Sequence, residues 1–287
     1  MALPPAVLYL LYPEWQGSGR SPSVQDGALT IARELFPDIA FLTIDSPAHE
    51  SLAPAGGVIG LASIAPRFRR AMARLRAEEA DRILTIGGTC GVEAAPVGYL
   101  NERYAGDLAV VWFDAHGDLN TPESSPSGNF HGMILRTLLG DGPADYVSEL
   151  RRPLTPSQVF LAGTRDLDPP EMAFMAEKEI AATPPNQFAD PQALVETIRG
   201  RGLQHVYLHL DLDALNPAEF PDTLMRTPGG PGLEEVCAMI RALAAAFDVV
   251  GFSIVEYIHG TDASLEALRQ LVDCSGLAAS WPSAPEN

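Results

Sequence analysis

Short apolar runs rich in Val, Ile, Leu and aromatic residues recur along the chain, at residues 6–12, 39–45, 82–88, 108–116, 157–163, 205–213 and 249–257. Most lack strict apolar/polar alternation, which is the pattern of strands buried on both faces. Between them lie stretches with apolar residues at helical spacing, at 23–36, 64–80, 232–247 and 264–280. In the second of these, Ile64, Phe68, Met72 and Leu75 form one stripe, with arginines opposite. Strands alternating with helices predict βαβ units and a mostly parallel central sheet covered on both faces, a three-layer α/β/α fold. Internal repeats, long linkers and charge blocks are absent, so a single domain over 1–280 is expected, followed by a loose tail at 281–287.

Composition narrows the partners. The formal net charge is −18, from 37 acidic and 19 basic residues. Such a surface repels phosphate backbones, so nucleic acid is excluded as an expected partner, while cations are favoured. Cys90, Cys237 and Cys274 show no framework spacing, and a reducing, cytoplasmic location is the simpler reading. The apolar stretch near the start is too short to span a bilayer and lacks signal-peptide flanks, so no membrane association is expected.

The polar chemistry gathers where strands end, the edge at which open parallel sheets bind ligands. After the run at 108–113 come Asp114, His116 and Asp118 at alternate positions, which extended backbone can aim at one point. Asp211 and Asp213 repeat that spacing on another strand, Glu256 closes the run at 249–255, and "GGTCG" follows the run at 82–86. Four carboxylates crowded together without a cation would repel and hold protons. Two divalent ions would let all four stay ionised, and oxygen-rich ligation with a little imidazole suits Mn²⁺. Ions about 3.5–4 Å apart could share one water and lower its pKa, chemistry suited to hydrolysis at an electrophilic carbon. Taken alone, "DAHGD" could be a capped surface turn, but a second acid pair closing another strand argues against that.

"FDAHGDLNTPESSPSGNFHGM", "HLDLDALNP" and "SIVEY" together resemble the motifs of the ureohydrolase family, the arginases and agmatinases, in the family's order over roughly residues 80–260. The resemblance implies the same three-layer fold and a set of roles. Asp114 and Asp211 would bridge two Mn²⁺ ions, Asp118 would complete the first site, and His116 and Asp213 the second. Asp118 would also orient the attacking oxygen. His131 would protonate the leaving amine, and Glu256 would pair with the guanidinium of a small-molecule substrate. Asn120, Ser125, Ser127 and Asn129 match positions that in arginases read the α-carboxylate. Asp168, in "GTRDLDPPE", matches the reader of the α-amino group. Family analogy also implies a homo-oligomer, a trimer or hexamer.

One departure changes the picture. Where the family carries Gly-Gly-Asp-His-Ser, this chain reads "IGGTCGV", so Cys90 stands at the position of a first-metal histidine. A neutral thiol is a poor Mn²⁺ ligand, and the first ion is expected to be held weakly or not at all. Amidinohydrolases of Nω-hydroxy-arginine resemble this chain in that change, which implies ornithine with hydroxyurea as products in place of ornithine with urea. His209 stands where arginases usually carry serine and reads as a core histidine outside the site. The other readings are an agmatinase, guanidinobutyrase or formiminoglutamase, a non-catalytic binding protein on the same fold, and, more distantly, a zinc deacetylase of acetylated polyamines.

Overall fold

Successive residues of the strand Leu108–Phe113 enter two different cores. Ala109, Val111 and Phe113 pack into one, and Leu108, Val110 and Trp112 into the other. This explains why the run reads as continuously apolar: both of its faces are covered.

The computed structural model describes residues 7–19 and 21–277, and the expected tail at 281–287 lies outside them. The strands are β1 (Val7–Tyr12), β2 (Leu42–Thr43), β3 (Pro54–Ala55), β4 (Val58–Ile59), β5 (Arg82–Gly87), β6 (Leu108–Phe113), β7 (Val159–Ala162), β8 (Ala181–Thr183), β9 (His205–Asp211) and β10 (Asp248–Val255). The α-helices are α1 (Ser23–Leu35), α2 (Leu61–Glu78), α3 (Ala94–Arg103), α4 (Ile134–Leu138), α5 (Ala144–Val147), α6 (Pro169–Lys178), α7 (Pro191–Gly200), α8 (Leu233–Ala246) and α9 (Asp262–Cys274).

Eight strands form one sheet in the order β2-β1-β5-β10-β9-β6-β7-β8, and every neighbouring pair described is parallel. Strands β3 and β4 make a separate antiparallel pair. Helices α1, α7, α8 and α9 supply one core. Helices α2, α3, α4 and α6 supply the other. The expected three layers are therefore present in a single domain. The run at 39–45 yields only a two-residue strand, Leu42–Thr43, at the sheet edge. Helices α3, α4, α5 and α7 and strand β8 complete the layers without having been expected. No helix among the described residues is long and apolar enough to cross a membrane.

The sheet order gathers strand ends that the sequence keeps far apart. Strands β5, β10, β9 and β6 are consecutive neighbours at the centre, although the chain visits them in a different order. Opposite residues Thr85, Ser253, His209 and Trp112 form one row across all four.

Candidate metal centre and substrate cavity

The carboxyl ends of those four strands meet at one cavity of about 240 Å³. Strand β5 leads into it through Gly88, where an added Cβ would lie 2.1 Å from the Glu14 carbonyl oxygen, so only glycine allows this approach. The Gly88 carbonyl accepts from the Glu256 backbone N–H at 2.8 Å. In return, the Cys90 backbone N–H donates to Glu256 Oε1 at 3.1 Å. These bonds join the ends of β5 and β10.

The acids from β6 and β9 interlock. Backbone N–H groups of His116 and Ala115 donate to Asp114 Oδ1 at 2.7 Å and Asp213 Oδ1 at 3.0 Å. The Asp213 N–H donates to Asp211 Oδ1 at 2.8 Å, and the Cys90 thiol to Asp211 Oδ2 at 3.1 Å. His116 Nδ1 lies 3.0 Å from Asp213 Oδ2 and 3.3 Å from Asp114 Oδ1. Arg165 fastens this region by donating to the carbonyls of Gly163, Asp213, Ala214, Thr227 and Pro228.

Three sets of side chains bring their donor atoms within 4.8 Å of one another: Asp114, His116 and Asp213; Cys90, Asp211 and Glu256; and Cys90, Asp114 and His209. Asp118 belongs to none of these sets but lines the same cavity. The set containing His209 was not anticipated, because a histidine inside an apolar strand reads as core from sequence alone. Asp118 and Glu256 both hold left-handed backbone, with φ of 52° and 63°. That conformation is costly for a side-chain-bearing residue, by about 1 kcal/mol or more each, and such strain gathers at functional sites.

Crowding sets the charges. Burial, then the neighbouring carboxylates, push the pKa of Asp211 well above the usual range, and likewise that of Asp118 despite His116 nearby. Asp213 is pushed up to about 6, by burial first and Asp114 second. Burial alone would raise Asp114, but hydrogen bonds and charge from His116 outweigh it and leave this carboxyl below its usual value. Burial opposes charge on His116, and the flanking Asp114 and Asp213 raise its pKa nonetheless. The Cys90 thiol is pushed up by burial and then by Asp211.

The residues fit divalent cations by what they leave over. Asp118 Oδ2, Glu256 Oε2, His116 Nε2 and His209 Nε2 are buried side-chain atoms without hydrogen-bond partners. Such groups are costly unless a ligand satisfies them. A cation is the counter-charge that this many acids require.

Asn120, Ser125, Ser127, Asn129, His131, Asp166, Asp168 and Glu171 also line the cavity, with Asp166 3.9 Å from His116. His131 Nδ1 sits 3.1 Å from Glu256 Oε1. Asn120 Nδ2 donates to Asp168 Oδ2 at 2.9 Å. Ser125, Ser127 and Asn129 line the cavity from a loop in which Ser125 Oγ accepts from the Gly128 N–H and Ser127 Oγ from the Asn129 N–H. Every residue picked out from the sequence except Asp114 lines this one cavity, and Asp114 lies buried directly behind it.

Buried acids that the sequence reading missed include Glu171 and Glu14. Glu171 accepts from the Leu119 and Asp168 backbone N–H groups at 2.8 and 2.9 Å, tying the Asp118 loop to the start of α6. Its signal was legible: Asp168 and Glu171 have capping-box spacing, with Pro169 at the first helical position. Glu14 is buried behind Thr89 and Gly91. Burial pushes its pKa up to about 7, against the Gly17 N–H and Arg67. The folded protein thus holds this proton more tightly than the unfolded chain, whose glutamate titrates near 4.5. The resulting stability is complete below pH 4.5 and is lost as pH rises through about 7, a change of about 3 kcal/mol. Glu14→Gln should remove that loss. Urea unfolding of both proteins at pH 5 and pH 8 measures it, and an equal pH dependence in the two would refute the assignment.

The arginase family model matches residues 53–268. An arginase of Staphylococcus aureus (strain COL) is 33% identical over 199 residues, 67% of this chain and 66% of that relative's length. The match therefore spans just under two thirds of that protein. Among solved structures, an arginase of Entamoeba histolytica in complex with L-ornithine superposes with a TM-score of 0.86 at 22% identity, covering 94% of this chain and 98% of that one. An arginase from Bacillus caldovelox gives 0.77 at 25% identity, over 94% and 98%.

Proposed function

This chain belongs to the arginase family, and from that premise we propose that it hydrolyses the guanidino C–N bond of arginine or of an arginine derivative such as Nω-hydroxy-arginine, giving ornithine with urea or hydroxyurea. The observation that carries the reading is the mixed lining of the cavity: Asp118, Asp211, Asp213 and Glu256 gather with His116, and the amides and hydroxyls of Asn120, Ser125, Ser127 and Asn129 line it together with Asp168. A guanidinium and an amino acid head group match those two kinds of lining.

Mn²⁺ ions, when bound, would supply Lewis acidity and an acidified water. Asp114, His116 and Asp213 would hold one, and Cys90 and Asp211 would contribute to the other, with Asp118 beside them. Glu256 receives the guanidinium, where a charged hydrogen bond in a buried site is strong. His131 is held against Glu256 Oε1 through Nδ1, and it passes a proton to the departing amine. Asn120 and Asp168 are locked to each other, so Asp168 meets the α-amino group in a fixed position. Ser125, Ser127 and Asn129 receive the α-carboxylate. The net charge of −18 favours the approach of a cationic substrate. The same reading includes a homo-oligomer in the cytoplasm, in keeping with three free buried cysteines.

One observation favours a second reading, a guanidino-binding protein without turnover. The Cys90 thiol is buried and donates to Asp211, a bond it must give up to bind a cation. Metal-loaded protein screened against arginine, Nω-hydroxy-arginine, agmatine, guanidinobutyrate and formiminoglutamate decides between the two. Urea or hydroxyurea from the first two compounds is expected. Bound metal without turnover of any compound would favour the binding protein, and preferential turnover of one of the last three would replace the substrate assignment.

A further inference from the structure

We propose that His209 is a metal ligand, its Nε2 joining Cys90 Sγ and an Asp114 oxygen around one divalent cation while Glu93 holds the ring from behind. The inference rests on the reading of the cavity as a metal centre and goes beyond it, because it gives this chain an imidazole ligand from the interior of a strand. His209 lies one row beneath Asp211, on the same face of β9. It is fully buried, and its Nε2 has no hydrogen-bond partner. A ring nitrogen of His209, Cys90 Sγ and an Asp114 oxygen all lie within 4.8 Å of one another. Donors bound at about 2.0–2.3 Å to one cation occupy about that spread.

The rest of the ring's surroundings fix it in place. Trp112 stacks on it with centroids 3.5 Å apart and planes 20° apart, and donates its indole N–H to Asp114 Oδ2 at 3.1 Å. One side chain thus sets both the imidazole and the carboxylate. His209 Nδ1 faces Ser253 Oγ at 3.4 Å and Glu93 Oε1 at 3.6 Å. Glu93 is itself fully buried, with neither carboxylate oxygen hydrogen-bonded. A carboxylate behind one ring nitrogen with the other left free is the arrangement that orients metal-binding histidines. The chain lacks histidine at position 90 and carries one at 209, so an imidazole is still available to this set of donors. Binding releases the Cys90 proton, now donated to Asp211, into solvent. A sulfur, nitrogen and oxygen set favours a softer ion than Mn²⁺, such as Co²⁺, Fe²⁺ or Zn²⁺.

Anaerobic titration of the full chain with Co²⁺, followed by absorbance, tests this. The wild-type protein should develop a near-ultraviolet sulfur-to-cobalt charge-transfer band as the thiolate forms. His209→Asn, checked for native circular dichroism, should bind that ion about 10–100-fold more weakly, with an altered visible spectrum. Glu93→Gln should weaken binding about tenfold. Wild-type affinity and spectrum in His209→Asn would overturn the assignment and leave the proposed function standing. Should asparagine at 209 prevent folding, Glu93→Gln decides, and unchanged affinity there overturns the proposal. Wild-type protein that takes up neither Co²⁺ nor Mn²⁺ would defeat both readings together.

Discussion

Asp211→Asn should lose divalent-metal binding and turnover together while its fold stays intact. The amide oxygen of asparagine still accepts from the Asp213 N–H, so the local turn survives. What disappears is one negative charge from the centre of the cluster. In the metal-free protein that charge is a liability, since burial and then Asp213, Asp114 and Glu256 all favour the protonated carboxyl. Removing it should therefore leave the urea midpoint of the metal-free protein unchanged or higher. With a cation the balance reverses, because the lost oxygen anion was a ligand. Turnover should fall at least about a thousand-fold, on the order of 4 kcal/mol of transition-state stabilisation. Metal content after Mn²⁺ loading, steady-state rates and urea melts are the three measurements. Wild-type metal content and activity in this variant would defeat the whole reading of the cavity.

Glu256→Gln should reduce kcat/KM for a guanidinium substrate by roughly 10²–10³-fold, since a buried cation would lose the carboxylate that pairs with it. Glutamine retains an acceptor for the Cys90 N–H, so the junction of β5 and β10 should hold. Metal analysis adds a distinction, because Glu256 also falls within ligand distance of Cys90 and Asp211. Retained metal with poor turnover places Glu256 on the substrate. Metal loss makes it a ligand. Unchanged kcat/KM would remove it from the site altogether.

The acids of the site were legible because strand ends impose them in pairs. Asp114 and His116, or Asp211 and Asp213, are near neighbours in sequence, and alternate spacing survives into three dimensions. His209 was not legible by the same logic. It shares a face with Asp211, but so do many core residues, and only Cys90 and Asp114 arriving from other strands give it chemical company. Glu93 and Glu14 lie in turns whose burial is decided by elements packed over them. Among the secondary elements, α3 escaped notice because it contains Pro96 and Gly98 and is buried over most of its length. A helix without a polar face carries no amphipathic signal. Strand β8 is three residues long and packs at the sheet edge, too short for periodicity to register.

The order of strands in the sheet carries a consequence for how the protein matures. Cys90 and Glu256, in direct contact, are 166 positions apart along the chain, and β10 is the strand threaded between β5 and β9. Until that last strand slots into the gap, the sheet has no strand joining the β5 end that carries Cys90 to the β9 end that carries Asp211, whereas Asp114, His116 and Asp213 meet on the adjacent β6 and β9. A cation that needs Cys90 beside Asp211 is therefore complete only in the finished sheet, where it would act as a latch adding about 1.4 kcal/mol for each tenfold excess over its dissociation constant.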